Sequence, residues 1–141
     1  MLRILFGNPA DLIIHEPEMG DLYLGSVYSL NPDFIRRKNI TVIISMIHVP
    51  DVPATLHYTY YIEDSSDPSV RLKMSRMLPE ITALIHSHRK AGMNVLVHCQ
   101  AGIHRGPTVV AGYLKRYKGC STKEAVGLIK GARPIADPWL L

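Results

Sequence analysis

Two segments constrain the fold most. ITVIISM (40–46) and NVLV (94–97) are nearly uninterrupted apolar runs rich in β-branched residues, without the polar alternation of a half-exposed strand. Such runs predict strands covered on both faces, as in a parallel sheet. Between them Val70, Met74, Met77, Leu78, Ile81, Leu84 and Ile85 recur at intervals of three and four, so 69–90 reads as a helix with one buried face. Pro79 falls inside it and is expected to kink it or divide it in two, because proline removes an internal main-chain hydrogen bond. Strands joined through a helix predict an α/β domain whose central sheet is mixed, mostly parallel and flanked by helices.

The remaining segments are shorter. DLYLG (21–25) reads as a strand, NPDFIRRKN (31–39) as a helix capped by Asn31 with Pro32 in its first turn, and YTYYI (58–62) as a second extended piece. A helix is expected to begin near Pro107 and to carry TVVAGYLKRY. Another opens at Ser121, where S-T-K-E forms a capping box, and runs to about Ala132. With 141 residues, 1–141 reads as one domain, large enough for a single buried core.

Composition then narrows function. Hydrophobic residues at 47% and charged residues at 20% exclude extended disorder. A formal charge of +4 implies mild attraction to anions such as phosphate. No aromatic stacking pattern accompanies the basic residues, so no stable nucleic-acid partner is expected. Cys99 and Cys120 are the only cysteines and form no C-x-x-C pair, which argues against a disulfide framework or a metal site. Gly7, Pro9 and Asp11 interrupt the apolar start before a signal core or a membrane span would form. These features predict a monomer in the cytoplasm, or the nucleus, with free thiols.

VHCQAGIHRGPT (97–108) places a cysteine directly after a core strand and an arginine six residues later, before a helix. In open α/β sheets, ligands bind beyond the carboxyl ends of the strands, where this loop lies. A loop that wraps into a helix N-terminus gathers unpaired N–H groups and the positive end of the helix dipole, a ready site for an anion. Gly102 would let the amides of Cys99, Gln100, Ala101, Gly102, Ile103, His104 and Arg105 converge on phosphoryl oxygens. Arg105 adds a planar fork for two of those oxygens. The same field favours the thiolate of Cys99, since such settings lower a cysteine pKa from about 8.5 to roughly 3.5–7.5. His98 is placed to orient the cysteine main chain and support the thiolate by hydrogen bonding. His104 would either touch substrate or face solvent.

The run H-C-Q-A-G-I-H-R resembles the H-C-x-x-G-x-x-R signature of cysteine-dependent protein tyrosine phosphatases. The likeness extends over 21–138 to the dual-specificity branch, through DLYLGSVYSLNPDFIRRKNITVIISM, YYIEDSSDPSV and NVLVHCQAGIHRGPTVVAGYLKRYKGCSTKEAVGLIKGARPIADP. The resemblance implies a phosphatase-type phosphate loop between a core strand and a helix, a phosphorylated protein as substrate, and no metal or organic cofactor. Cys99 would attack phosphorus to form a thiophosphoryl intermediate, Arg105 and the loop amides would hold the oxygens, and an aspartate would protonate the leaving group. The position after YTYYIE points to Asp64, with Asp67 the second choice.

Two departures accompany the likeness. The family usually carries Ser or Thr after the arginine, where its hydroxyl bonds the departing sulfur, and this chain has Gly106. The phosphatases of regenerating liver carry Ala there and remain phosphatases, so Gly106 predicts slow turnover. The branch also continues past ARPIADP into another helix, whereas this sequence stops at Pro138-Trp139-Leu140-Leu141, implying a trimmed chain or four residues packed alone against the core. Ser121, Glu124 and Arg133 read as architecture, a helix cap and a charged helix end. No segment resembles the deep phosphotyrosine loop of the larger enzymes, so phosphotyrosine and phosphoserine/threonine are both expected substrates. The competing readings are a weakly active phosphate-binding or substrate-trapping module, an RNA 5′-phosphatase, and sulfur transfer of the rhodanese kind. Cys120 reads as a buried helix-side thiol, with a redox partnership to Cys99 as the alternative.

Overall fold

A computed structural model describes residues 8–53 and 55–138. Five strands form one sheet in the order β1-β2-β5-β3-β4, where β1 is Ala10–Ile14, β2 Leu22–Gly25, β3 Ile40–Ser45, β4 Leu56–Thr59 and β5 Asn94–His98. β1 runs antiparallel to β2, and every other neighbouring pair is parallel. The helices are α1 (Pro32–Arg37), α2 (Pro68–Lys90), α3 (Arg105–Tyr117) and α4 (Thr122–Ala132), with a 3-10 turn at Val27–Ser29. The sheet is therefore mixed and mostly parallel, with helices on both faces, as the two apolar runs predict.

Side-chain alternation divides the core in two. Leu22, Leu24, Val42, Ile44, Val95 and Val97 point to one face and pack with Met74, Ile81, Ile85, Val109, Val110, Leu114 and Ile129 of α2, α3 and α4. Tyr23, Ile43 and Leu96, the residues between them, point to the other face and meet Ile35 of α1. β5 lies at the centre of the sheet, so the residue after its last position leaves the most buried strand.

Three expectations need correction. α2 runs undivided through Pro79, which excludes the division of the helix. Proline in a helix interior costs about 3 kcal/mol, which the packing of the Met74, Ile81 and Ile85 face offsets. Gly112 of α3 also lets the Leu78 side chain approach, for a Cβ there would stand 3.2 Å from it, and Arg116 Nη1 donates to the Pro79 carbonyl at 2.7 Å. The extended piece read at 58–62 is a strand at Leu56–Thr59, an edge strand with no fully buried residue. α3 begins at Arg105, two residues before Pro107, which puts the arginine in its first turn. The antiparallel edge strand β1 was not foreseen. Residues 139–141, on which the reading of the C-terminus falls, lie outside the described residues.

Candidate active site

The loop 99–104 leaves the centre of the sheet and enters α3. Gly102 has φ +71, the left-handed region, and a Cβ on it would stand 2.8 Å from the Gly25 carbonyl oxygen and 2.7 Å from the Arg133 guanidinium. Both the backbone conformation and the space require glycine there.

Six consecutive carbonyls of this loop are tied outward. Cys99 O meets Nδ1 of His98 at 3.2 Å. Gln100 O accepts from Val27 N–H at 3.0 Å, and Ile103 O accepts from Asp137 N–H. Ala101 O and Gly102 O accept from Nη2 and Nε of Arg133, each at 3.0 Å. His104 O accepts the Thr108 amide and hydroxyl. The amides of Gln100, Ala101, Gly102 and Ile103, by contrast, donate to no acceptor among the described residues. An ordinary loop spends its donors and its acceptors alike. Here the acceptors are spent and the donors are left over, which is the pattern of an anion cradle.

Arg105 adds a cation beside these donors. Arg105 is only 8% exposed, its Nη1 donates to the Ile62 carbonyl at 3.0 Å, and its Nε is buried without a partner. A buried, unpaired donor on a permanent cation is costly unless a ligand supplies the acceptor. Cys99 is 2% exposed and belongs to the larger core cluster. A Cβ on Gly106 would stand 3.5 Å from its sulfur. Position 106 therefore abuts Sγ, and glycine leaves that flank without a hydroxyl.

The predicted residues fall in two places. Cys99, the loop and Arg105 form the cradle itself. Asp64 comes to its rim: the His104 ring Nδ1 lies 3.1 Å from Oδ1 and 3.4 Å from Oδ2, linking the phosphate loop to the loop before α2. Asp67 is the N-cap of α2, its carboxylate accepting from the Ser69 amide at 2.9 Å and the Ser69 hydroxyl at 2.7 Å. Those bonds lower its pKa, the Ser69 side chain first and the Ser69 amide second. His98 is fully buried and reaches the Cys99 carbonyl through Nδ1, which is the expected contact with the cysteine main chain, while no hydrogen bond runs from its ring to the sulfur among the described residues. Burial pushes its pKa down to about 4, holding the ring neutral.

Arg133 differs from its sequence reading as a charged helix end. It is fully buried, and besides the two loop carbonyls it binds Asp11 Oδ2 at 2.9 Å and the Asn8 carbonyl. Ser45 and His57, which stand behind His98, were not foreseen either. Cys120 is half-buried and follows α3, and the described residues contain no cluster of three or more His, Cys, Asp or Glu side chains suited to a metal ion.

A strand, an amide-lined loop with Cys99 and Arg105 six positions apart, and a helix starting at that arginine define a phosphate loop of the cysteine-phosphatase class. Residues 22–139 match the family model described as dual specificity phosphatase, catalytic domain, and the chain belongs to that family. It is 41% identical over 119 residues to mouse dual specificity protein phosphatase 15, covering 83% of this chain and 49% of that protein. It is 34% identical over 119 residues to zebrafish dual specificity protein phosphatase 22-B, covering 84% of this chain and 64% of the relative. The chain thus spans about half the length of the mouse relative. The crystal structure of DUSP15 superimposes with a TM-score of 0.75 at 31% identity, covering 83% of this chain and 74% of the other. No helix among the described residues is long and apolar enough to cross a membrane.

Proposed function

We propose that the chain is a cysteine-dependent phosphomonoester hydrolase acting on phosphotyrosine and phosphoserine/threonine of proteins. The observation that carries this reading is the inverted loop, with its carbonyls from 99 to 104 engaged and the amides of 100–103 left as donors beside an unpaired Arg105 Nε. A phosphoryl dianion supplies the acceptors that these groups lack.

In the first step the Cys99 thiolate attacks phosphorus, the bond to the ester oxygen breaks, and Asp64 gives that oxygen its proton. The amides and Arg105 hold the equatorial oxygens, whose charge develops in the transition state. In the second step Asp64, now ionised, takes a proton from water, the hydroxide oxygen bonds to phosphorus, and sulfur leaves as thiolate with release of phosphate. His104 links Asp64 to the loop, keeping the acid at the rim of the cradle. Asp67 is occupied as a helix cap.

Gly106 limits the second step. A family hydroxyl at 106 would lie against the leaving sulfur. Its loss costs about 1.5–3 kcal/mol for one bond to a charged group, or on the order of ten- to a hundredfold in breakdown of the intermediate. A trapping role is the second reading that this position favours, since slow breakdown prolongs the covalent complex.

Stopped-flow with p-nitrophenyl phosphate tests the assignment. The expected trace is a burst of about one nitrophenolate per protein followed by a slow steady rate, the kinetic sign of an accumulating covalent intermediate. Gly106→Ser raises the steady rate about tenfold or more. Its Cβ meets only the movable Leu24 Cδ1 below 3.0 Å, so the fold accommodates it with a small shift. A protein that binds phosphate without chemistry gives neither phase, and an unchanged steady rate in Gly106→Ser removes this account of position 106.

A further inference from the structure

A line of buried polar side chains crosses three adjacent strands behind the phosphate loop. From the sheet edge inward it runs from His57 on β4 through Ser45 on β3 to His98 on β5. Val52 N–H donates to His57 Nδ1 at 3.3 Å, and His57 Nε2 and Ser45 Oγ are 2.6 Å apart. Ser45 Oγ and His98 Nε2 are 2.5 Å apart, and His98 Nδ1 meets the Cys99 carbonyl at 3.2 Å. Ser45 and His98 are fully buried, and the His57 side chain is 2% exposed.

The two ends fix where every proton lies. A carbonyl only accepts, so His98 Nδ1 carries hydrogen and its Nε2, on a neutral ring, accepts. The Ser45 hydroxyl therefore donates to His98 and must accept from His57 Nε2–H. That leaves His57 Nδ1 as the acceptor for Val52 N–H, which is the bond at the other end. One arrangement satisfies all four contacts, and each bond in such a chain polarises the next. Burial lowers the pKa of both imidazoles, keeping them in the neutral forms this arrangement needs. The charged groups facing them are Asp51, 3.4 Å from His57 Nδ1 on the loop before β4, and Arg105 of α3, which opposes a charge on His98.

We propose that His57 is a positioning residue for the Cys99 sulfur, acting through Ser45 and His98 on the Cys99 carbonyl. The relay holds that carbonyl turned away from the cradle, so the peptide that follows presents its amide, and no main-chain oxygen, to the sulfur and the bound anion. The inference rests on Cys99 being the nucleophile of the proposed reaction.

Two readouts test it on the whole chain. Long-range ¹⁵N–¹H spectra of the imidazoles should show His98 in the Nδ1–H form and His57 in the Nε2–H form. The rate of Cys99 carboxymethylation by iodoacetate at about pH 6, well below a free thiol's ~8.5, reports the thiolate. Ser45→Ala should slow it about three- to tenfold, the equivalent of one net hydrogen bond. His57→Leu should slow it about two- to threefold, and His57→Gln, which keeps a donor toward Ser45, should recover most of that loss. A merely structural role changes the melting temperature and leaves the alkylation rate alone. If Ser45→Ala fails to fold, the His57→Leu and His57→Gln pair decides, since β4 is an edge strand. Wild-type alkylation rates in the folded variants, or the opposite tautomers, overturn the proposal. A wild-type Cys99 no more reactive than free cysteine defeats the nucleophile assignment itself, and the relay falls with it.

Discussion

Cys99→Ser should eliminate both the burst and the steady release of nitrophenolate, lowering kcat by about 10⁶-fold, the order found when a catalytic nucleophile is removed. The replacement is nearly isosteric, so the fold and the amide cradle persist. What is lost is the thiolate, because a serine hydroxyl stays protonated and needs a general base. His98, the imidazole nearest in sequence, cannot serve, since Nδ1 is committed to the Cys99 carbonyl and Nε2 to Ser45. Binding of inorganic phosphate, measured by calorimetry, should survive in the variant. A Cys99→Ser protein that keeps its burst would move the nucleophile elsewhere, with half-buried Cys120 the other cysteine.

Asp64→Asn should lower kcat toward an alkyl phosphate by about 10²–10⁴-fold, the contribution of a positioned general acid. In the burst phase with p-nitrophenyl phosphate, whose leaving oxygen departs readily without a proton, the loss should be much smaller, whereas its steady rate should still fall because Asp64 also takes the proton from water in the second step. Asp67→Asn should leave both rates close to wild type, because asparagine caps a helix about as well as aspartate and the Ser69 amide and hydroxyl keep an acceptor. Paired first-step rates on the two substrates separate a lost acid from a disturbed loop, which would slow both alike. The reverse pattern, loss in Asp67→Asn and none in Asp64→Asn, would exchange the two roles. Full activity of Asp64→Asn on the alkyl ester would leave the leaving group without an assigned donor.

Much of this was legible because it is local. The run at 40–46 and the run ending at His98 became β3 and β5, since neither has a polar face to turn to water. Asn31 and Ser121 cap their helices as their spacing to the next residues requires, and Glu124 closes the capping box. Cys99, Gly102 and Arg105 were legible for the same reason, lying within one loop.

The unforeseen features depend on partners far along the chain. β1, and the true start of β4 at Leu56, belong to edge strands whose residues are mostly half-buried or exposed, so their sequences carry little apolar signal. Pro79 stays helical because α3 packs beside it, which no property of 69–90 reveals. Arg133 serves the phosphate loop from 31 and 32 residues away, and Ser45 meets His98 across 53. A single buried serine or arginine in a sequence has no pattern that announces such a role.

The account turns on whether the loop amides and Arg105 outweigh burial at Cys99. Apolar surroundings disfavour a thiolate, whereas a cradle of donors and a guanidinium favour it. Carboxymethylation of the wild-type chain by iodoacetate at about pH 6, with the modified residue located by mass spectrometry, measures the outcome. The account predicts that Cys99 is alkylated at least tenfold faster than free cysteine, whose thiolate fraction is small that far below ~8.5, and that inorganic phosphate protects it. Alkylation no faster than free cysteine, or a rate indifferent to phosphate, would contradict it.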